Sequence, residues 1–299
     1  TLADSPGGPY SAQMLSGVYR ACDLVQLGDV LTLNQDFTSR QVPAAPGCSQ
    51  QDFAIITPVL DADYIINLPK MKTHGMTTLS LGVKNLFGCI PGLLKPRLHY
   101  SNPSYDGFAQ MLTSLTETVK PNLTLIDAVE GMEGNGPGSG TVRHRGLILA
   151  SRDIFAQDYV AAQLMGVDPR SVLMIQVQLA RGLIVPEQIE RIGDDALPSD
   201  PPFVLPDHIS RVDFTSHLPK PLQKPAAQLM DSLIKQVPLV DQIKCIGCGK
   251  CAESCPQHII EMNDRKADIH LSKCISCFCC QEMCPVKAIS VRRKFRFLK

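Results

Sequence analysis

Tryptophan is missing from this 299-residue chain, and aromatic residues make up only 5% of it. Proteins that stack single-stranded bases need aromatic platforms, which this composition does not supply. Net charge is missing too, because 29 Lys and Arg balance 29 Asp and Glu. With no excess of positive charge there is no global field to gather a polyanion, so no nucleic-acid partner is expected. No apolar run reaches the roughly 18–20 residues that span a bilayer. The start, Thr1-Leu-Ala-Asp4, carries no signal-peptide pattern and reads as the end of a strand entering a loop. The expectation is a chain without a membrane span, of a length for two domains, one large and one small.

Cysteine is what the chain has in excess, and its spacing is informative. One run is Cys245-x2-Cys248-x2-Cys251-x3-Cys255-Pro256, and a second is Cys274-x2-Cys277-x2-Cys280-x3-Cys284-Pro285. This is the bacterial ferredoxin pattern, in which the fourth cysteine of each run serves the other run's cluster. Short gaps let one loop wrap a cube of iron and sulfide and aim backbone N–H groups at its sulfurs. Two 4Fe–4S clusters are expected, one on Cys245, Cys248, Cys251 and Cys284, the other on Cys274, Cys277, Cys280 and Cys255. Zinc favours paired C-x2-C knuckles, and disulfides need an oxidising compartment. Cys279 is an extra cysteine, read as a bystander that can swap in as a ligand. Thiolate ligation without an export signal points to a reducing cytoplasm and to anaerobic metabolism.

Residues 1–195 alternate apolar strand-like runs with helical patterns, which predicts an α/β sheet with helices on both faces. Helices are expected at Tyr10 to Ala21, Thr77 to Phe87, Tyr105 to Val119, Ile154 to Met165 and Ser171 to Gly182. Asp153 is placed as an N-cap and Gly166 as a C-terminal stop. Strands are expected at Phe53 to Thr57, Tyr64 to Leu68, Leu123 to Ile126 and Gly146 to Ala150. Residues 196–238 are crowded with proline and read as an extended connector with a short helix near Ala226 to Lys235. A small α+β ferredoxin-like domain follows over residues 239–299. It ends in a basic tail of Arg292, Arg293, Lys294, Arg296 and Lys299, a solvated strand end or a docking face for an acidic redox partner.

Two segments of the large domain carry polar chemistry. After the strand ending at Leu68 and the break at Pro69, Lys70, Lys72 and His74 alternate, so an extended chain puts them on one face. The carboxyl ends of strands in open α/β sheets are where ligands bind, and clustered cations call for an anion. Lys84 and Asn85 follow near a helix end. The second segment, Asp127 to Gly140, reads as a strand end with Asp127, Glu130 and Glu133, which can hold a divalent metal or pair with the lysines. Its loop Gly134-Asn-Gly-Pro-Gly-Ser-Gly140 is neither a P-loop nor a dinucleotide fingerprint; it is an anion-approaching backbone or a flexible connection. His99 reads as a surface histidine, and Cys89 as a buried, inert thiol.

Five blocks together resemble the family catalogued as domain of unknown function 362. They are Asp4-Ser-Pro-Gly-Gly8, Asn67-Leu-Pro-Lys-Met-Lys-Thr-His74, Val83-Lys-Asn-Leu-Phe-Gly88, Asp127-Ala-Val-Glu-Gly-Met-Glu-Gly134 with Gly136-Pro137, and Ala150-Ser-Arg-Asp153. The resemblance covers residues 1–195 and implies an α/β domain, often followed by a ferredoxin-type module. It marks Lys70, Lys72, His74, Lys84, Asn85, Asp127, Glu133 and Asp153 as motif positions and implies no reaction. The basic Lys-Pro-Asn block that usually precedes the Asp-Ser-Pro-Gly-Gly turn is absent here. Two functions follow from the residues. One is an iron–sulfur oxidoreductase served by a redox partner protein or reductase, acting on a small anion in a Lys/His/Asp crevice, with room for a further organic cofactor. The other is a ferredoxin-like carrier or docking subunit with no chemistry of its own, cluster-based sensing or scaffolding being a more distant third.

Overall fold

The computed structural model describes residues 1–102, 104–206 and 234–295. The first helix, α1 (Ala12–Ala21), is capped by Ser11, whose side chain accepts from the Met14 amide, and buries Leu15 and Tyr19. A two-stranded antiparallel ribbon follows, β1 (Ser39–Pro43) with β2 (Asp52–Ile56), leading into the short α2 (Thr57–Leu60).

The main sheet is mixed and five-stranded. Its centre is the long β6 (Leu123–Glu133). On one side β6 pairs in parallel with β3 (Ile66–Asn67) and then with β4 (Lys70–His74), two pieces of one extended track on either side of Pro69. The β5 strand (Thr78–Ser80) closes back on β4, and β7 (Thr141–Ser151) pairs with the other side of β6, both antiparallel. Helices flank this sheet: α3 (Gly82–Asn85), α4 (Leu94–Ser101), α5 (Tyr105–Val119), α6 (Ile154–Leu164) and α7 (Leu173–Ala180). The expected α/β class is the observed one.

Burial explains the arrangement. Met71, Leu79, Ile126 and Ala128 of the sheet pack with Tyr159, Ala161 and Ala162 of α6 and Ile175 of α7. A second core gathers Phe53 and Ile55 of β2 with Phe108, Met111, Leu112 and Leu115 of α5. Each such side chain contributes about 1.5–3 kcal/mol when fully removed from water. Both α5 and α6 begin where a side chain takes up orphan amides, Ser104 for Gly107 and Asp153 for Phe155 and Ala156. Gly166 takes the left-handed turn just past α6, at φ 73°.

Three expectations fail. Thr77 to Phe87 is not one helix: Thr78, Leu79 and Ser80, all buried, pair antiparallel with His74, Thr73 and Lys72 of β4. β5 is therefore a strand, with only one helical turn after it before a 3₁₀ turn, Leu86–Cys89. β6 does not stop at Ile126. Antiparallel pairing with β7 keeps it extended to Glu133, past an irregularity between Ala128 and Glu130. Asp127, Glu130 and Glu133 are thus strand residues, not loop residues. His99 is buried rather than at the surface, stacked on Phe108 at 4.2 Å between ring centroids.

The small module pairs β8 (Ile234–Val240) with β11 (Ile289–Phe295), and β9 (Ile260–Asn263) with β10 (Lys266–Ile269). Two one-turn helices complete it, α8 (Lys250–Glu253) and α9 (Cys279–Glu282). The helix expected near Ala226 to Lys235 lies largely outside the described residues, and its last two positions are strand β8. Arg292, Arg293 and Lys294 lie on β11; Arg296 and Lys299 lie outside the described residues.

Candidate functional site

The cysteine module is one loop plan used twice. Gly247 and Gly249 hold φ of 70° and 75°, and Ser276 and Phe278, at the same offsets in the second run, hold 57° and 60°. His258 and Lys287, each three residues past the fourth cysteine of its run, repeat the match at 50° and 52°. These left-handed positions bend the chain around two cavities. One is lined by Cys245, Cys248, Cys251 and Cys284. The other is lined by Cys255, Cys274, Cys277 and Cys280. The fourth cysteine of each run lines the cavity of the other run.

The donor chemistry fits iron–sulfur cubes. Backbone N–H groups of Ser276 and Ala288 approach the sulfurs of Cys274 and Cys284 at 3.4 and 3.2 Å, the contacts that stabilise an anionic cluster. Cys279 is buried and hydrogen-bonds to Cys277, which holds the Cys277 thiol below its ordinary range.

Gly247 shows how tightly the first loop is drawn, since a Cβ there would lie 2.1 Å from the Arg265 carbonyl oxygen. We expect Gly247→Ala to cost about 2–4 kcal/mol through this clash and the φ penalty. Gly249→Ala, which meets nothing within 4 Å, should cost only ~1–2 kcal/mol. Iron retained per chain after gel filtration in dilute denaturant would rank the two variants, and equal retention would refute the packing argument.

The second cysteine run faces a charged cleft in the large domain. Along β4, Met71 points into the core, while Lys70, Lys72 and His74 share the other face. Lys70 is exposed and pairs with Asp127 at 2.6 Å, which holds the Asp127 carboxyl below its usual range through that hydrogen bond. Lys72 is half-buried, and His74 is only 2% exposed. The His74 Nδ1 accepts from the amides of Met76 and Thr77 at 3.0 and 3.3 Å, so its proton sits on Nε2. That Nε2 faces Oε1 of Glu282 at 3.4 Å. Burial pushes the His74 pKa down, and the two amide contacts keep it neutral.

Lys84 enters the same space from α3, with its ammonium 4.7 Å from the centre of the Phe87 ring. Among the described residues neither Lys72 nor Lys84 has a hydrogen-bond or ion-pair partner. Burial lowers both ammonium pKa values, and the nearby Glu282 works against it. The α3 turn is set by Asp158, whose buried carboxylate accepts from Gly82 and Val83 at 2.7 and 3.0 Å. Asn67 then binds the Gly82 carbonyl and is itself bound by Asn85 at 2.8 Å. Asn85 is therefore a positioning group at the cleft edge.

Glu282 is the residue that the sequence did not reveal. It belongs to α9, the helix that carries Cys280, and its neighbours in sequence are cysteines and ordinary helix formers. Its side chain keeps 29% of its accessible surface, with His74 at 3.4 Å and the charges of Lys72 and Lys84 acting on it. Burial tends to raise its carboxyl, but the hydrogen bond from His74 and the Lys84 charge win and hold it low.

Further contacts fasten the module here. The Met283 sulfur approaches Gly7 so closely that a Cβ there would lie 2.7 Å away. Tyr105 donates to Gln236 at 2.9 Å, and Ser276 to the Gln236 carbonyl at 2.6 Å. The Asp4-to-Gly8 block builds a wall: Lys95 donates to the Ser5 carbonyl, and the Ser5 hydroxyl accepts from Gly92 at 2.7 Å. Burial pushes the Lys95 pKa down to about 8.

The structure brings Lys70, Lys72, His74, Lys84, Asn85 and Asp127 to one side of the sheet and leaves two motif residues elsewhere. Glu133 faces Arg143 at 3.6 Å and accepts from the Val204 amide. Asp153 is spent capping α6. The glycine loop packs behind β4, with the Gly134 and Gly136 carbonyls bound by Thr73 and Gly75. Cys89 is buried, and burial raises its thiol to about 12.

Comparison with known proteins agrees with this division. The model of the family described as a domain of unknown function (DUF362) matches residues 1–163, and that of the 4Fe-4S dicluster domain matches residues 244–288. A curated relative, a thylakoid-associated protein of Synechocystis sp., is 40% identical over 125 residues, which are 42% of this chain and 39% of the relative. The chain thus spans about two fifths of that relative's length. The C-terminal module is of the 4Fe–4S ferredoxin type, and its chemistry is iron–sulfur electron transfer. Among the described residues no helix is long and apolar enough to cross a membrane.

Proposed function

The chain belongs to the DUF362 family, and from that premise we propose an oxidoreductase whose iron–sulfur module passes electrons to a small anion in the Lys72–Lys84 cleft. One 4Fe–4S cluster is assigned to Cys245, Cys248, Cys251 and Cys284, the second to Cys274, Cys277, Cys280 and Cys255. Bound there, the clusters supply single electrons at low potential. The observation that carries the reading is Glu282. A helix bearing one cluster ligand also places a carboxylate 3.4 Å from His74, so one helical turn links the second quartet to the cleft.

The side chains divide the remaining work. The ammonium groups of Lys72 and Lys84, partly buried and without hydrogen-bond partners among the described residues, bind a carboxylate or phosphate. His74, with Nδ1 committed to two amides, stays neutral and orients the site through its Nε2–H, while the ammonium groups of Lys72 and Lys84, their pKa values lowered by burial, give the proton to the product as it gains electrons. Glu282 holds that imidazole in place. Lys70 and Asp127 guard the mouth, and Asn85 fixes the α3 turn. A bare carrier or docking face would leave Lys72 and His74 open to water, and their burial supports a cleft instead. A protein reductase supplies the electrons, and a reducing cytoplasm is the compartment that suits the thiolates.

The test starts from protein purified without oxygen. Mass spectrometry of co-purifying small molecules identifies the anion, and its ability to reoxidise chemically reduced clusters is followed by absorbance. We expect Lys72→Ala to slow that reoxidation by ~10²-fold or more with iron content unchanged. Wild-type rates in Lys72→Ala would remove the cleft from the mechanism.

A further inference from the structure

The two cysteine quartets share a loop plan but not an electrostatic setting. The first run finds its cation inside its own module, where Lys266 donates to the Cys245 carbonyl at 2.5 Å. Lys244 is taken up by Asp241 at 3.6 Å, Lys250 lies within the run itself, and Cys248 is exposed to water. The second run lies against the large domain. α9 bears both Cys280 and Glu282, so Glu282 lies two residues from a cluster ligand on one helical turn. It faces His74 at 3.4 Å, and the charges of Lys72 and Lys84 act on it.

We propose that Lys84 and Glu282 form an electrostatic tuner of the second quartet, raising and lowering respectively the reduction potential of the cluster held there, while the first quartet is untouched. Each one-electron reduction adds a negative charge to an anionic cluster. A nearby ammonium favours that added charge, and a nearby carboxylate opposes it. Both groups are partly buried, so their fields are less screened than at an open surface. The first quartet has one exposed cysteine, Cys248, and Lys266 as a cation of its own.

The arrangement ties cleft occupancy to driving force. Seating an anion on Lys72 and Lys84 has the same sign as deleting an ammonium: it lowers the potential of the adjacent cluster and makes its electron more reducing when a substrate is present. Linkage makes the effect reciprocal, so reduction of that cluster weakens anion binding. This inference rests on the two-cluster reading of the module and not on the identity of the anion or on turnover.

A redox titration followed by electron paramagnetic resonance on the anaerobically reconstituted full chain tests it. In Lys84→Met the midpoint of one of the two clusters should fall, and in Glu282→Gln the midpoint of that same cluster should rise. Lys84→Arg, which keeps the charge, should restore the wild-type value, so a merely structural loss at position 84 is told apart from a charge effect. Shifts in neither cluster, equal shifts in both, or shifts of the same sign in both variants would overturn the tuner. Iron and sulfide analysis on the same samples is the separate check on cluster count, so a module with one cluster or none would be recognised as a failure of the proposed function itself.

Discussion

Replacing Cys255 by Ser should damage the cluster of the second run, although Cys255 belongs in sequence to the first. Cys255 lines the cavity formed by Cys274, Cys277 and Cys280, while Cys284 lines the one formed by Cys245, Cys248 and Cys251. Serine oxygen is a poor substitute for thiolate on iron, so the affected site should lose part or all of its iron. Iron bound per chain is expected to drop from on the order of eight towards about four. In the resonance spectrum of Cys255→Ser the missing signal should be the one whose midpoint moves in Lys84→Met. In Cys284→Ser it should be the other. An uncrossed module gives the opposite assignment, and the same signal lost in both variants would dismiss both arrangements. The effect reaches the cleft as well, because only loss of the second-run cluster should stop reoxidation by the cleft anion.

How much of this was written in the sequence depends on the range of the forces involved. The helices α5 and α6 were legible nearly to the residue, because Ser104, Asp153 and Gly166 are local devices acting within one turn. The cysteine runs were legible because ligand spacing is a local property of one loop. The alternation of Lys70, Lys72 and His74 was legible as a shared face because β4 is extended through all three. What could not be read was set by contacts distant in sequence. β5 was taken for helix because three residues are too few for a period to declare itself, and its pairing with β4 decides the matter. The acids of β6 were placed in a loop because pairing with β7 lies outside any local window. Glu282 carried no signal, because its importance comes from docking against residues some two hundred positions earlier, a relation that no spacing encodes.

The burial of Asp158 should make stability depend on pH in a direction opposite to that of most carboxylates. Burial pushes its carboxyl up to about 7, against the lowering effect of the Val83 and Gly82 amides. In the unfolded chain the group titrates near its ordinary value of about 4. Between these values the folded protein holds the proton and the unfolded chain has lost it. The folded state therefore binds more protons, and stability falls as pH rises from about 4 to about 7, flattening above that. The contribution lost is on the order of 4 kcal/mol. Denaturation midpoints for wild type and Asp158→Asn isolate it, because every other group titrates alike in both. The variant should be the weaker at low pH by about 1–3 kcal/mol, since its amide nitrogen confronts an N–H group. The gap should close and then reverse as pH approaches neutrality, because the wild type loses more than the low-pH difference, and parallel curves would show that Asp158 does not titrate in this window. The same change reaches the chemistry, because the amides of Gly82 and Val83 start the turn that carries Lys84. Asp158→Asn should therefore shift the potential of the second-run cluster in the direction of Lys84→Met, though less far, without touching a cluster ligand or the cleft itself.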